Sequence, residues 1–243
     1  MSVAAVLTCR NNSSRLYAKP LQRIGGRTIL EHIIAQLQTC NEVDHIVLAI
    51  SEQPDNWVYT TIADRLGLPW LMGDDTDMLQ RLILGAKKVG ADQVLRMTPD
   101  GPFLYWEGMG EFIQDHVKSE ADYSIHDGLP LGSFYELIKT DALERCHQEG
   151  EDRHRSEYST LYIYENKDRF VVRMVPVDKG LDRKDIRIVV DTPEDLIVCQ
   201  SIFEHVANED GLVPIRPLIR YLDMNPKIKS LNQAVPVNMA RYW

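Results

Sequence analysis

The chain has 243 residues, 44% hydrophobic and 26% charged, with 27 Lys and Arg against 36 Asp and Glu for a formal net charge of -9. That length suits one large α/β domain, or a domain with a small appendage, and the acidic balance argues against nucleic acid or an anionic membrane surface as the main partner. No apolar run approaches the roughly 20 residues that span a bilayer. Val3 to Leu7 is too short for a signal-peptide core, and Cys9, Cys40, Cys146 and Cys199 are scattered without a C-x-x-C, which fits reduced thiols in a cytoplasm.

In chain order, Val3 to Thr8 reads as a strand. Thr28 and Glu31 form a capping box for a helix whose apolar face is Ile29, Ile33, Ile34 and Leu37. His45 to Ile50 is a β-branched strand, and Asn56 to Leu66 a helix stopped by Gly67 with Pro69 beyond. A short strand at Pro69 to Met72 leads into Gly73-Asp74-Asp75-Thr76. A helix then carries Met78, Leu82, Ile83 and Ala86 and ends near Gly90. Gln93 to Met97 is the next strand and Gly108 to Lys118 the next helix. Such alternation predicts βαβ units on a mostly parallel sheet.

After Tyr123 the rhythm breaks, and Asp127 to Leu137 reads as an irregular hairpin or lid. Arg153 to Asn166 is expected to be helical, Val171 to Val177 and Ile186 to Val190 to be strands, and "DTPED" to open a helix reaching about Val206. The stretch from Leu212 to Trp243 has four prolines and one short helix near Leu218 to Asp223. The expected organisation is a domain over 1–210, with an excursion at about 124–180, and an extension over 211–243. Tyr221, Tyr242 and Trp243 in that extension suit either a subunit interface or packing on their own domain.

From Met1 to Leu30 there are five basic residues, Arg10, Arg15, Lys19, Arg23 and Arg27, and no acidic one. In open α/β sheets ligands bind beyond the carboxyl ends of the strands, so the loop after the first strand is placed for an anion. Asn11, Asn12, Ser13 and Ser14 tolerate turn geometry and offer backbone N–H groups to phosphate oxygens. Arg10 and Arg15 can clamp such oxygens in pairs, and Lys19 adds a compact charge. A solvated basic surface loop is the alternative, and thirty acid-free residues in an acidic protein weigh against it. The loop is not a Walker A loop, and Ser13 and Ser14 lack a His/Asp partner for a hydrolase triad.

Two aspartates follow strands. Asp100 sits in "RMTPDGPFL" and Asp191 in "VVDTPEDL". Taken alone, the first suits a turn former and the second a helix N-cap. Both also stand where a shared crevice would lie, and Mg²⁺ binds one or two carboxylates together with substrate phosphates.

The spacing Arg10, Ser14, Arg15, Leu16, Lys19, Pro20, Leu21 resembles the opening signature of the cytidylyltransferases that make CMP-sugars. These include CMP-Kdo synthetase and acylneuraminate cytidylyltransferase, and the SpsF-like spore coat branch is the most similar. "GGRTILEHIIAQL", "DDTDMLQRLILGAKKVGADQVLRMTPDGPFL", "RSEYSTLYIYENKDRF" and "VVDTPEDL" continue the likeness in order. The resemblance implies a Rossmann-like nucleotide-diphospho-sugar transferase fold. It also implies cytidylyl transfer from CTP to a sugar acid, Mg²⁺ held by Asp100 and Asp191, and a homodimer. Arg10, Arg15, Lys19 and Asp100 would be catalytic, and Asn12, Ser14, Asp77, Arg81, Arg96 and Thr98 would bind substrate or nucleotide.

Asp77 and Arg81, one helical turn apart, suit either a surface ion pair or a brace for the site. Arg155 and Glu157 are expected on the acceptor side, with Tyr158 where relatives have His. Other departures are Pro99 for the usual Gly, Tyr17-Ala18 for Pro-Gly, and Gly128-Leu129-Pro130 for "GLD". Two other readings stand beside this one. Asp74 to Asp77 could form a D-x-D-like metal motif of a glycosyltransferase, or the chain could bind nucleotide without turnover.

Overall fold

In a computed structural model of the protein, residues 1–13 and 15–236 are described. The strands are β1 (Val3–Cys9), β2 (Arg23–Ile24), β3 (Arg27–Thr28), β4 (His45–Ser51), β5 (Trp70–Gly73), β6 (Gln93–Arg96), β7 (Tyr123–Asp127), β8 (Glu136–Lys139) and β9 (Val172–Pro176). The helices are α1 (Ile29–Leu37), α2 (Val58–Leu66), α3 (Met78–Val89), α4 (Met109–Ser119), α5 (Thr140–Glu149), α6 (Leu161–Glu165), α7 (Pro193–Val206), α8 (Ile215–Met224) and α9 (Pro226–Lys229). Strands β2 and β3 make a small separate hairpin. The other seven form one sheet in the order β5-β4-β1-β6-β8-β7-β9.

Only β8 runs antiparallel to its neighbours β6 and β7; the remaining pairs are parallel. Strand β1 lies between β4 and β6. The chain therefore winds outward through β4 and β5 and then returns to the other side of β1. That reversal opens a crevice at the carboxyl end of β1, where ligands bind in such sheets. Side chains alternate across β1, so Val3, Ala5 and Leu7 join one apolar layer and Ala4 and Val6 the other. The first layer packs under α1, α4, α7 and α8, and the second under α3 and α5.

The local signals in the first half operate as expected. Thr28 caps α1 in a capping box with Glu31, and Gly67 and Gly90 end α2 and α3 in left-handed conformation. The segment from Asn56 opens as a 3-10 turn, Pro54–Trp57, before α2. All four cysteines are buried free thiols. No helix among the described residues is long and apolar enough to cross a membrane.

The second half departs from expectation. The stretch Asp127 to Leu137 agrees with the hairpin reading, since β7 and β8 on either side of it pair antiparallel in the main sheet; the departures lie elsewhere. Arg153 to Asn166 is helical only over α6 and in the 3-10 turn Asp152–His154. Between them the backbone serves tertiary partners: the Arg155 carbonyl accepts from Leu79 N–H (3.1 Å) and the Glu157 carbonyl from Arg96 (3.0 Å). Ile186 to Val190 is not a ladder strand. It makes one isolated bridge, Leu131 to Arg187, and Val190 N–H donates to the Asp100 carbonyl (2.8 Å). Helix α5 is unforeseen because only Ala142, Leu143 and Cys146 give it an apolar face. Within 211–236, Leu212, Val213, Ile215, Leu218 and Leu222 are buried, and α8 packs on α7. Tyr221 bonds Ser201 (2.7 Å) in its own domain, while Tyr242 and Trp243 lie outside the described residues.

Candidate active site

The basic loop is anchored by Asn11. Its backbone N–H donates to Asn56 Oδ1 (2.8 Å) and its side-chain oxygen accepts from Tyr59 (2.8 Å). The loop closes where Ala18 N–H meets the Asn11 carbonyl (2.9 Å). Ala18 is left-handed, with φ 50° and ψ 47°, a conformation that costs an L-residue free energy and that Gly adopts freely. That turn starts the 3-10 turn Lys19–Leu21 and aims Lys19 back over the end of β1.

Asp100 follows β6 through a turn closed by Gly101 N–H on the Thr98 carbonyl (3.3 Å). Gly101 abuts Gly132 so closely that an added Cβ would come to 2.2 Å of the Gly132 carbonyl oxygen. Asp191 precedes α7. The N-cap there is Thr192, in a capping box with Asp195, so the Asp191 carboxylate is free of capping duty and faces the cleft. Lys19 Nζ donates to Asp191 Oδ1 and lies 3.8 Å from Asp100 Oδ2. Arg15 is 2.9 Å from Asp191 Oδ1, and Arg187 is 2.8 Å from Asp191 Oδ2. Burial alone would raise the Asp191 carboxyl, but Lys19, Arg187 and Arg15 outweigh it and hold it below the usual carboxylate range.

These groups line one cleft of about 440 Å³. Arg10, Asn12, Ser13, Arg15, Lys19, Thr98 and Asp100 form part of its wall, and Arg96, Glu136, Glu157, Tyr158, Thr160 and Tyr164 another part. On that second part Arg96 donates to the Glu136 carboxylate. Glu136 Oε1 also accepts from Tyr123 (2.7 Å), Thr160 (3.1 Å) and Tyr164 (3.3 Å). Burial pushes the Glu136 carboxyl upward, yet Arg96 and Tyr123 bring it below its ordinary value. Arg10 meets Glu157 at 3.5 Å.

Asp77, Arg81 and Arg155 are not among the residues that line the cleft. Asp77 caps α3 through Gln80 N–H (2.7 Å) and contacts His147 (2.8 Å). Arg81 makes no surface ion pair with it. Its guanidinium is buried and meets no hydrogen-bond partner among the described residues. Arg155 turns to Asp152 and the His147 carbonyl. Ser14 lies outside the described residues. Arg23 and Arg27, on the hairpin, bond the Gly26 and Asp210 carbonyls. Asp74 and Asp75 are occupied locally, by the Thr76 and Asp77 N–H groups and by Ser51, so they form no D-x-D metal pair in the cleft.

A family model described as cytidylyltransferase matches residues 4–221. The chain belongs to the cytidylyltransferase family. It is 24% identical over 235 residues to the spore coat polysaccharide biosynthesis protein SpsF of Bacillus subtilis, covering 94% of this chain and 97% of that one. A solved cytidylyltransferase from Leptospira borgpetersenii superposes with a TM-score of 0.87 at 21% identity, covering 98% of this chain and 99% of the other. A CMP:2-keto-3-deoxy-manno-octonic acid synthetase complexed with CTP superposes with a TM-score of 0.66 at 16% identity, covering 84% and 99%. The fold is the α/β nucleotidyltransferase fold, and the protein is a nucleotidyltransferase.

In this cytidylyltransferase the donor chemistry fits Mg²⁺. Two hard carboxylates, Asp100 and Asp191, already share one cation, the Lys19 ammonium. No group of three or more His, Cys, Asp or Glu side chains gathers for a metal among the described residues. An ion that keeps waters and takes substrate phosphates needs no fuller cage.

Sequence reasoning missed Glu136, Arg187 and Asp195. Glu136 in "FYELIK" and Arg187 in "DIRIVVD" are single charges inside apolar runs. A charge so placed must find a buried partner, and that was the available signal.

Proposed function

We propose that this protein transfers CMP from CTP to a hydroxyl of a sugar acid, releasing pyrophosphate, in cell-surface or spore-coat polysaccharide biosynthesis. The observation that carries the reading is the convergence of Arg15, Lys19, Asp100 and Asp191 at the carboxyl end of β1. Support for CTP and a sugar acid comes from the solved synthetase, and for the polysaccharide setting from the name of the Bacillus subtilis relative.

Arg10, Arg15 and Lys19 bind the β- and γ-phosphates and stabilise the departing pyrophosphate, where negative charge develops. The acceptor hydroxyl oxygen forms its bond to the α-phosphorus as the α–β bridging P–O bond breaks, and the hydroxyl proton passes to water. Such a reaction needs in-line positioning more than covalent help. Asp100 and Asp191 would hold Mg²⁺, which would supply Lewis-acid polarisation to the substrate phosphates. Tyr158, Thr160 and Tyr164 offer hydroxyls to the acceptor.

The test is pyrophosphate release with each of the four nucleoside triphosphates against a panel of 3-deoxyulosonic and acylneuraminic acids. CTP alone is expected to turn over, in a Mg²⁺-dependent way, with an Asp100→Asn variant folded and inactive. Release of no pyrophosphate from CTP, with transfer instead from a preformed nucleotide-sugar, would overturn the reading.

A further inference from the structure

The described chain beyond α8 comes back to the active site. After α9 a single 3-10 turn, Ser230–Asn232, places Asn232 with only 2% of its surface exposed. Its side-chain amide donates twice, to Asp195 Oδ1 (2.9 Å) and to the Arg187 carbonyl (3.1 Å). Asp195, fully buried, receives the Arg187 guanidinium through Nε on Oδ1 (2.8 Å) and Nη2 on Oδ2 (2.9 Å). The same Nη2 donates to Asp191 Oδ2 (2.8 Å). Asn232 lies outside the residues 4–221 that the family model matches.

We propose that Asn232 is a positioning residue that fixes the carboxylate of Asp191 for the metal and its nucleotide, acting through Asp195 and Arg187. The inference rests on Asp191 being a metal ligand. The Asp195 carboxylate also accepts the N–H groups of Asp191 (2.9 Å) and Thr192 (3.0 Å) on Oδ2. Among the described residues, Oδ1 has only Arg187 and Asn232. Without Asn232 that buried oxygen and the Arg187 carbonyl each lose a donor, which is costly away from water. The guanidinium keeps its own bonds to Asp195 and Asp191, but the Asp195 carboxylate and the Arg187 backbone that orient it are each held by one bond fewer. Since among the described residues the guanidinium alone holds Asp191 Oδ2, the orientation that leaves Oδ1 facing Lys19 and Arg15 is loosened. Groups that orient a metal-binding carboxylate in this way typically change metal affinity by about 10–100-fold when removed.

The same stretch is docked by separate bonds. Lys229 meets the Asp185 carboxylate, and Arg183 forks onto Asp223 (2.7 and 2.6 Å). Docking and positioning can therefore be separated by substitution. The experiment compares the full chain with Asn232→Ala, Asn232→Leu and Lys229→Met. It measures Mn²⁺ uptake in the presence of CTP by the loss of the free-ion paramagnetic resonance signal, CTP affinity in EDTA, and thermal unfolding. Asn232→Leu keeps the volume if Asn232→Ala fails to fold.

Both Asn232 variants are expected to bind Mn²⁺ about tenfold more weakly, with CTP affinity in EDTA within about twofold of the parent. Lys229→Met is expected to leave Mn²⁺ affinity within about twofold. Folded Asn232 variants with parental Mn²⁺ affinity would overturn the proposal, as would an equal loss in Lys229→Met. A parent chain that takes up no Mn²⁺ with CTP would instead remove the metal reading of Asp191, and this inference with it.

Discussion

Lys19 and Asp191, 172 residues apart in sequence, meet side chain to side chain at the carboxyl end of β1. Their side chains are 12% and 9% exposed, so the attraction is much less screened than in a surface pair. The ammonium holds Asp191 and Asp100 around one positive charge, and the proposed metal-bound triphosphate would draw on both carboxylates.

Replacing Lys19 tests that arrangement. Lys19→Ala should lower kcat/KM for pyrophosphate release by about 100-fold, the effect of one preorganised electrostatic donor, with the far-ultraviolet circular dichroism unchanged. Steady-state kinetics that stay within about threefold of the parent would return the loop to a solvated surface.

The Arg96–Glu136 pair is buried, with side chains 10% and 5% exposed. Glu136→Gln should cost about 3–5 kcal/mol in urea unfolding, because Arg96 is left as an uncompensated buried charge. The double variant Arg96→Met/Glu136→Leu should recover much of that loss. A single-variant cost below about 1 kcal/mol would show that water reaches the pair.

Ala18 holds its left-handed turn against the preference of its Cβ. Ala18→Gly should raise stability by roughly 0.5–1 kcal/mol, the gain in the fold being partly offset by a freer unfolded chain. Ala18→Val, branched at Cβ, should lower both stability and turnover. Calorimetry that ranks Val above Gly would contradict the geometry.

Histidine 116 supplies a pH dependence. Its Nε2 lies 3.1 Å from Gln93 Oε1 and its Nδ1 2.7 Å from the Ser124 hydroxyl, partners that satisfy a buried neutral ring. Burial, with Lys139 adding to it, pulls its pKa down to about 4. Unfolded histidine titrates near about 6.5. Between those values the unfolded chain binds a proton that the folded chain refuses. The contribution of His116 is thus intact above about pH 6.5 and falls by up to about 1.4 kcal/mol per pH unit below it. Denaturant unfolding at pH 7.5 and 5.5 should show a smaller difference for His116→Gln than for the parent.

The sequence by itself determined the elements whose signals are local: the Thr28–Glu31 capping box, the stops at Gly67 and Gly90, and the alternation of strand and helix as far as α4. It also displayed Arg10, Arg15, Lys19, Asp100 and Asp191, because basic loops and aspartates at strand ends can be recognised within a few residues. Tertiary structure alone decided that β8 runs antiparallel between β6 and β7, and that Arg155 and Glu157 give backbone carbonyls to Leu79 and Arg96 instead of to a helix. It alone joined Arg96 to Glu136 and Asn232 to Asp195. Capping and periodicity act within one or two turns of chain. A buried charge instead takes its partner from whichever distant segment the packed core brings within reach, and spacing along the chain carries no record of that choice.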